Sequence, residues 1–264
     1  MLNIAHRGGA GLRPENTMAA FEAAVVRGCD GAELDVQLAA DGVAVVHHDM
    51  RLNPALTRKD GIWLTGEGPR IRDLSCTELE RYDVGRPDPQ SDYARAHPAL
   101  RPADGARVPR FAEVVTLART ARKPFLLFVE LKSALTDSGA EAVALADAAL
   151  AVLAAADYLD RTVFVGFDWR GLMRLKMQAP GARCWFTTDR MEGDLKPVLD
   201  HIAAFRGDGW FPCYENATPE NVAEARARGL KVGAWTVNTP ADMRRLAELD
   251  AICTDRPDLL QGLS

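Results

Sequence analysis

Several features that would announce a function on their own are missing from this sequence. Its five cysteines, Cys29, Cys76, Cys184, Cys213 and Cys253, are odd in number and widely spaced, with no C-x-x-C pair. That spacing builds neither a disulfide framework nor a zinc site, so buried, reduced thiols are expected. There is no basic surplus: 32 Lys and Arg against 37 Asp and Glu leave a formal charge of −5, and the arginines are scattered. A nucleic-acid surface is therefore not expected. No apolar run is long enough to cross a bilayer, because the Ala-rich stretch from Ala140 to Ala156 is broken by Glu141 and Asp147 and reads as a packed helix. Stable membrane association is not expected either. The first strand follows Met1 almost directly, without a basic, apolar and cleavable leader, which leads to the expectation of a cytoplasmic protein. No repeat finer than an alternation of strand and helix is visible.

What is present fits one domain spanning residues 1–264. The composition, 47% hydrophobic and 26% charged, is that of a globular protein. A strand at Asn3 to His6 runs into a loop bearing Gly8, Gly9 and Gly11. Asn16 or Thr17 can then cap a helix with Met18, Phe21 and Val25 on one face and Gly28 at its end. A strand follows at Ala32 to Val36. Only a few residues, ending in Asp41-Gly42, separate it from the apolar run VAVV, far too few for a parallel crossover, so this run must return antiparallel as a hairpin. Residues 50 to 108, rich in Pro, Gly and Arg, contain one clear helical piece, Ser75 to Tyr82, with Ser75 and Glu78 forming a capping box. So long an excursion reads as an insertion within the domain, a lid or a substrate-selecting element.

From Pro109 the alternation is regular. A helix carrying Phe111, Val114, Val115 and Ala118 leads to FLLFVELK, and a long helix after Asp137 leads to RTVFVGF. Further helices lead to ARCWFTT, GWFPC, KVGAWTV and AICT, with Thr218-Pro219 and Thr239-Pro240 opening the last two. With the first two strands this gives eight, mostly continuous apolar runs. An α/β protein of the (β/α)8 TIM-barrel class is expected, with the insertion following a hairpin extension of its second strand; such barrels typically have ~250 residues.

The polar residues at the strand ends carry the chemistry. Glu33 and Asp35 are one residue apart in GAELDVQL, so a strand points both to the same face. On an inward face these like charges require a compensating cation. Glu130 and Lys132 share the same spacing in the third strand. If Glu33, Asp35 and Glu130 converge at the barrel mouth, their oxygens suit a hard divalent ion, Mg²⁺ or Ca²⁺, and Lys132 becomes a phosphate contact. Strand alternation lets only one of His47 and His48 face the carboxylates. His6 stands at the end of the first strand, where barrel enzymes place their chemistry.

In order, HRGGAGLRPENT, ELDVQLAADGVAVVHHD, VELK, GFDW, WTVN and TDRPD resemble the glycerophosphodiester phosphodiesterase family over nearly the whole barrel. The resemblance implies metal-dependent hydrolysis of glycerol-3-phospho-alcohol diesters to sn-glycerol 3-phosphate and an alcohol. By position it implies metal ligation by Glu33, Asp35 and Glu130, and catalysis by His6 and by His48, which immediately precedes Asp49. It also implies phosphate contacts by Arg7 and Lys132, a substrate contact by Trp235, and motif membership for Glu15 and Asn16. Two departures bear on substrate choice: Gly166 stands where many relatives carry serine, and the stretch from Arg51 to Arg107 follows no family pattern.

The implied mechanism uses the two imidazoles, whose proton exchange falls in the neutral range, as acid and base on opposite sides of phosphorus. Three rivals remain. One is a lysophospholipase D-type enzyme acting on lysolipids. Another is an aldolase-like barrel using Lys132 as a Schiff base, which the neighbouring Glu130 disfavours by keeping lysine charged. The third is a non-catalytic phosphate-binding module.

Overall fold

The computed structural model describes residues 1–133 and 139–263. Strand β1 (Leu2–Ala5) ends in a single 3-10 turn, His6–Gly8. Helix α1 (Met18–Arg27) is capped by Thr17, whose side chain accepts from the Ala20 amide, and is closed by Gly28 in the left-handed conformation. Of the two capping candidates Thr17 takes the role. Asn16, left-handed at φ 54, turns its amide elsewhere.

Strand β2 (Gly31–Leu38) is paired antiparallel with β3 (Ala44–Val46), Leu38 opposite Ala44, so the Asp-Gly hairpin forms as expected. Residues 50–108 hold a small antiparallel sheet of β4 (Arg58–Lys59), β5 (Ile62–Trp63) and β6 (Tyr82–Asp83), with short helices α2 (Cys76–Leu79) and α3 (Asp92–Ala96). The capping box of Ser75 and Glu78 is present, but α2 is a single turn. It stops early because Tyr82 and Asp83 are drawn into pairing with β4. Leu52, Ile71, Leu79, Val84 and Val108 are buried together with Ala39 and Val45 of the hairpin. This cluster anchors the excursion to the end of β2.

The remaining elements alternate: α4 (Phe111–Arg119), β7 (Leu126–Leu131), α5 (Gly139–Ala155), β8 (Thr162–Gly166), α6 (Trp169–Gln178), β9 (Arg183–Thr188), α7 (Lys196–Ala204), β10 (Gly209–Pro212), α8 (Pro219–Ala227), β11 (Lys231–Ala234), α9 (Pro240–Arg245), β12 (Ala251–Thr254) and α10 (Pro257–Gln261). Asp137, where the sequence places the start of a helix, lies outside the described residues. Strands β1, β2 and β7 to β12 pair in parallel, and β1 bonds to both β12 and β2, which closes the barrel.

Period-two alternation sorts the side chains. Leu34, Val36, Leu127 and Val129 point outward into the layer beneath the helices, while Ile4, Phe128, Val163, Trp185, Phe211 and Cys253 fill the barrel. Trp185 fits because its neighbours are bare: a Cβ at Gly209 would lie 2.6 Å from the indole ring, and one at Gly233 2.9 Å. This packed interior supports the barrel floor and leaves polar side chains at its mouth. Cys29, Cys76, Cys184 and Cys253 are buried free thiols, and Cys213 is half-buried.

Among the described residues no helix is long and apolar enough to cross a membrane.

Candidate active site

The inward face of β2 continues upward from the packed interior as Glu33 and Asp35, which are 2% and 1% exposed. Register pairs Asp35 with Glu130 of β7, so the E-x-D and E-x-K motifs meet side by side. Glu33, Asp35 and Glu130 each offer an oxygen within 4.8 Å of the others, the arrangement expected from their strand positions.

Two cations stand beside them. Lys132 Nζ is 2.6 Å from Glu130 Oε1 and 3.3 Å from Asp35 Oδ1. Arg7 donates its backbone N–H to Glu33 Oε2 at 3.0 Å and brings Nε to 3.5 Å from Asp35 Oδ2. Asn16 completes the frame, donating Nδ2 to Asp35 Oδ2 at 2.7 Å. Arg7 and Asn16 both hold left-handed backbones at φ 52 and 54, a conformation that costs non-glycine residues on the order of 1–3 kcal/mol and recurs at functional sites.

The charges settle unequally. Burial pushes Glu33 well above the usual carboxylate range, and Asp35 and Glu130 add repulsion. Burial acts on Asp35 too, but Lys132, Arg7 and His48 outweigh it and hold Asp35 ionised far below that range. Lys132 is raised, because Asp35 and Glu130 together overcome its burial. A lysine kept charged in this way is a poor Schiff-base nucleophile, which weakens the aldolase alternative.

Glu33 Oε1 is a buried oxygen without a hydrogen-bond donor, and Asp35 Oδ1 has only its 3.3 Å ion pair with Lys132. Such under-satisfied acceptors, in a cluster of three carboxylates beside two cations, fit a hard divalent ion.

His6 Nδ1 faces Asp255 Oδ1 at 2.6 Å, and its Nε2 looks into the site, 3.9 Å from Glu33 Oε2. A carboxylate only accepts, so the proton on Nδ1 is fixed and Nε2 is left free for exchange. Asp255 is itself held by Asn238 Nδ2 at 2.6 Å and lies low, at about 2, because His6 more than offsets its burial. His48 repeats the device: its Nδ1 donates to Asp49 Oδ1 at 2.7 Å, and Asn53 braces the other oxygen at 2.9 Å.

His6, Arg7, Glu33, His48, Glu130, Lys132 and Trp235 line one cleft of about 160 Å³. Trp235 meets Phe167 edge to face at 5.3 Å, and this aromatic pair lines the cleft with Lys132 Nζ 5.8 Å from the Phe167 ring. His47 points away and is buried, with Nε2 3.3 Å from the Arg51 carbonyl oxygen. A wider groove of about 760 Å³ runs between α1 and α10, but its acids are only Glu22 and Asp258, and Asp258 is engaged by Arg256.

Sequence reasoning gave no role to Asp255, Asn238, Asp49 or Phe167. Asp255 was accessible in principle: barrel closure sets Thr254 opposite Ala5, so the residue after each strand end must be neighbours.

The model of the glycerophosphoryl diester phosphodiesterase family matches residues 6–259. The chain is 31% identical over 266 residues, 99% of its length and 97% of the relative's, to the glycerophosphodiester phosphodiesterase of Caldanaerobacter subterraneus subsp. tengcongensis. A crystal structure of a Silicibacter pomeroyi protein assigned as a glycerophosphoryl diester phosphodiesterase superposes with a TM-score of 0.92 at 35% identity, covering 98% of this chain and 91% of that one. An Oleispira antarctica phosphodiesterase solved with the product sn-glycerol-3-phosphate is similar at TM-score 0.78 and 25% identity, over 98% of this chain and 94% of that one.

Proposed function

The chain belongs to the glycerophosphoryl diester phosphodiesterase family, and from that membership we propose that it hydrolyses glycerophosphodiesters to sn-glycerol 3-phosphate and an alcohol with a divalent metal and two histidines. The observation that carries this is the meeting, in one cleft, of three carboxylates, two cations and two carboxylate-oriented imidazoles drawn from distant segments.

Glu33, Asp35 and Glu130 would hold the ion, Mg²⁺ or Ca²⁺, which supplies a Lewis acid and positive charge beside phosphorus when bound. Arg7 and Lys132 face the same place and offset the charge that grows on the phosphoryl oxygens. In the reaction one oxygen–phosphorus bond forms to the attacking hydroxyl and the bond to the alcohol breaks. One imidazole takes the proton from the attacking hydroxyl, and the other gives a proton to the leaving alkoxide. Asp255 and Asp49 keep the exchanging nitrogens of His6 and His48 turned to the cleft. The attacking oxygen is water or the glycerol 2-hydroxyl; the latter gives a transient cyclic phosphate, which water then opens to sn-glycerol 3-phosphate. Trp235 and Phe167 present an apolar wall to the carbon part of the substrate.

On this proposal the chain acts as one phosphodiesterase domain in which residues 50–108 form an insert, a lid or a substrate-selecting element. Small glycerophosphodiesters are the proposed substrates, with lysolipids as the alternative. Incubation with glycerophosphocholine, glycerophosphoethanolamine, glycerophosphoglycerol and lysolipids should release glycerol 3-phosphate from at least one of the first three. Turnover of lysolipids alone, read as lysophosphatidate and free alcohol, would favour the lysophospholipase D alternative, and no turnover of any would overturn the assignment.

A further inference from the structure

Arg7 is tethered at one more point. Its Nη1 donates to Glu15 Oε1 at 2.9 Å, and the second oxygen of Glu15 accepts from the Tyr93 hydroxyl at 2.7 Å. Tyr93 belongs to α3 in the excursion, outside the barrel strands. Its ring stacks on His97 with centroids 4.2 Å apart, and His97 Nδ1 donates to the Tyr93 carbonyl oxygen at 2.9 Å, which fixes the ring direction. Pro14, Leu56, Val84, Pro87 and Leu100 wall in the Tyr93–Glu15 pair and leave about 10 Å³ unfilled. A charge-assisted hydrogen bond in this part-buried, largely apolar setting is of the strong kind. Close by, the Arg101 amide donates to the Leu12 carbonyl at 3.0 Å, a second tie between the excursion and the loop bearing Glu15.

We infer that Tyr93 is a positioning residue for the reaction: by holding Glu15 it keeps the Arg7 guanidinium aimed at the phosphodiester instead of collapsed onto the metal-binding carboxylates. The inference rests on the proposed contact between Arg7 and phosphate. Glu33 and Asp35 both compete for Arg7, and Glu15 is the group that draws the guanidinium the other way. Glu15 is 11% exposed, so without the tyrosine hydroxyl it has water to turn towards. Burial and the Glu15 charge both raise Tyr93, which therefore remains a donor across the working pH range. The excursion thus reaches the reacting centre through one hydroxyl and one carboxylate.

The test compares Tyr93→Phe, Arg7→Lys and the double variant by steady-state release of glycerol 3-phosphate, with thermal unfolding run on each. Expected is a loss of about tenfold in kcat for Tyr93→Phe with little change in KM and in melting temperature, and less than about twofold further loss when it is added to Arg7→Lys. Glu15→Gln should reproduce the single loss and carries the same comparison if Tyr93→Phe does not fold. Wild-type turnover in Tyr93→Phe or Glu15→Gln beside an impaired Arg7→Lys overturns the inference alone. So does a tenfold loss that recurs undiminished in the Arg7→Lys background, which is what a purely structural tyrosine would give. An Arg7→Lys enzyme with wild-type turnover overturns the phosphate contact itself, and the inference with it.

Discussion

His47 and His48 are adjacent in the chain and opposite in circumstance. His48 lines the cleft with its Nδ1 fixed by Asp49, while His47 is buried and pushed down by that burial, which keeps it neutral. Replacing His48 with Asn should lower kcat by ~10² to 10⁴-fold, the usual contribution of a positioned acid or base. His47→Asn should cost stability yet leave kcat within a few-fold. Steady-state turnover and urea unfolding of the two variants check this, and an active His48→Asn enzyme would remove the residue from the mechanism. Glu33 gives a second expectation at this scale. Its folded pKa is raised, so its contribution to stability is present below the ordinary carboxylate range and lost as pH rises through the folded value. The proposed cation would replace the proton there. Binding of Mg²⁺ to the metal-free protein at a pH below the raised Glu33 value should therefore release protons and stabilise more at higher pH. Calorimetry in buffers of different ionisation enthalpy reads this directly, and binding without proton release would contradict the raised value.

At the scale of elements, the 3-10 turn after β1 bears both His6 and Arg7, and its placement depends on Gly8. With φ at +83, a Cβ there would sit 2.7 Å from Ala20 Cβ and 2.9 Å from the Ala20 carbonyl carbon of α1. Gly8→Ala should destabilise by about 2–4 kcal/mol and reduce turnover further by shifting the two side chains. Urea unfolding measures the first effect, and a change below about 0.5 kcal/mol would show that the close approach is not needed. The turn's glycines were visible in the sequence, as were the hairpin, the capping box and the strands. The end of α2 was not, because helical signals from Ser75 onward say nothing of β4, the distant partner that claims Tyr82 and Asp83. Likewise Thr17 and Asn16 are both good caps by type. Asn16 is withdrawn from that role by Asp35, nineteen positions away.

For the molecule as a whole, the barrel was legible because apolar strands and amphipathic helices alternate with few interruptions after Pro109. The carboxylate cluster was legible because two strands carry acids with a period of two, and neighbouring parallel strands bring such faces together. Asp255 was harder to see: it lies 249 positions from His6, and only closure of β12 onto β1 makes them partners. The excursion was the least legible part, since strands of two residues have no readable period, yet it reaches the centre through Tyr93. The proposed mechanism rests on a divalent ion held by Glu33, Asp35 and Glu130, whose oxygens lie within 4.8 Å of one another. The most direct measurement is glycerol 3-phosphate release by protein stripped of metal with a chelator, then titrated with Mg²⁺ or Ca²⁺. Turnover should vanish on stripping and return on titration in the wild type but not in Asp35→Ala; full turnover by the stripped protein would contradict it.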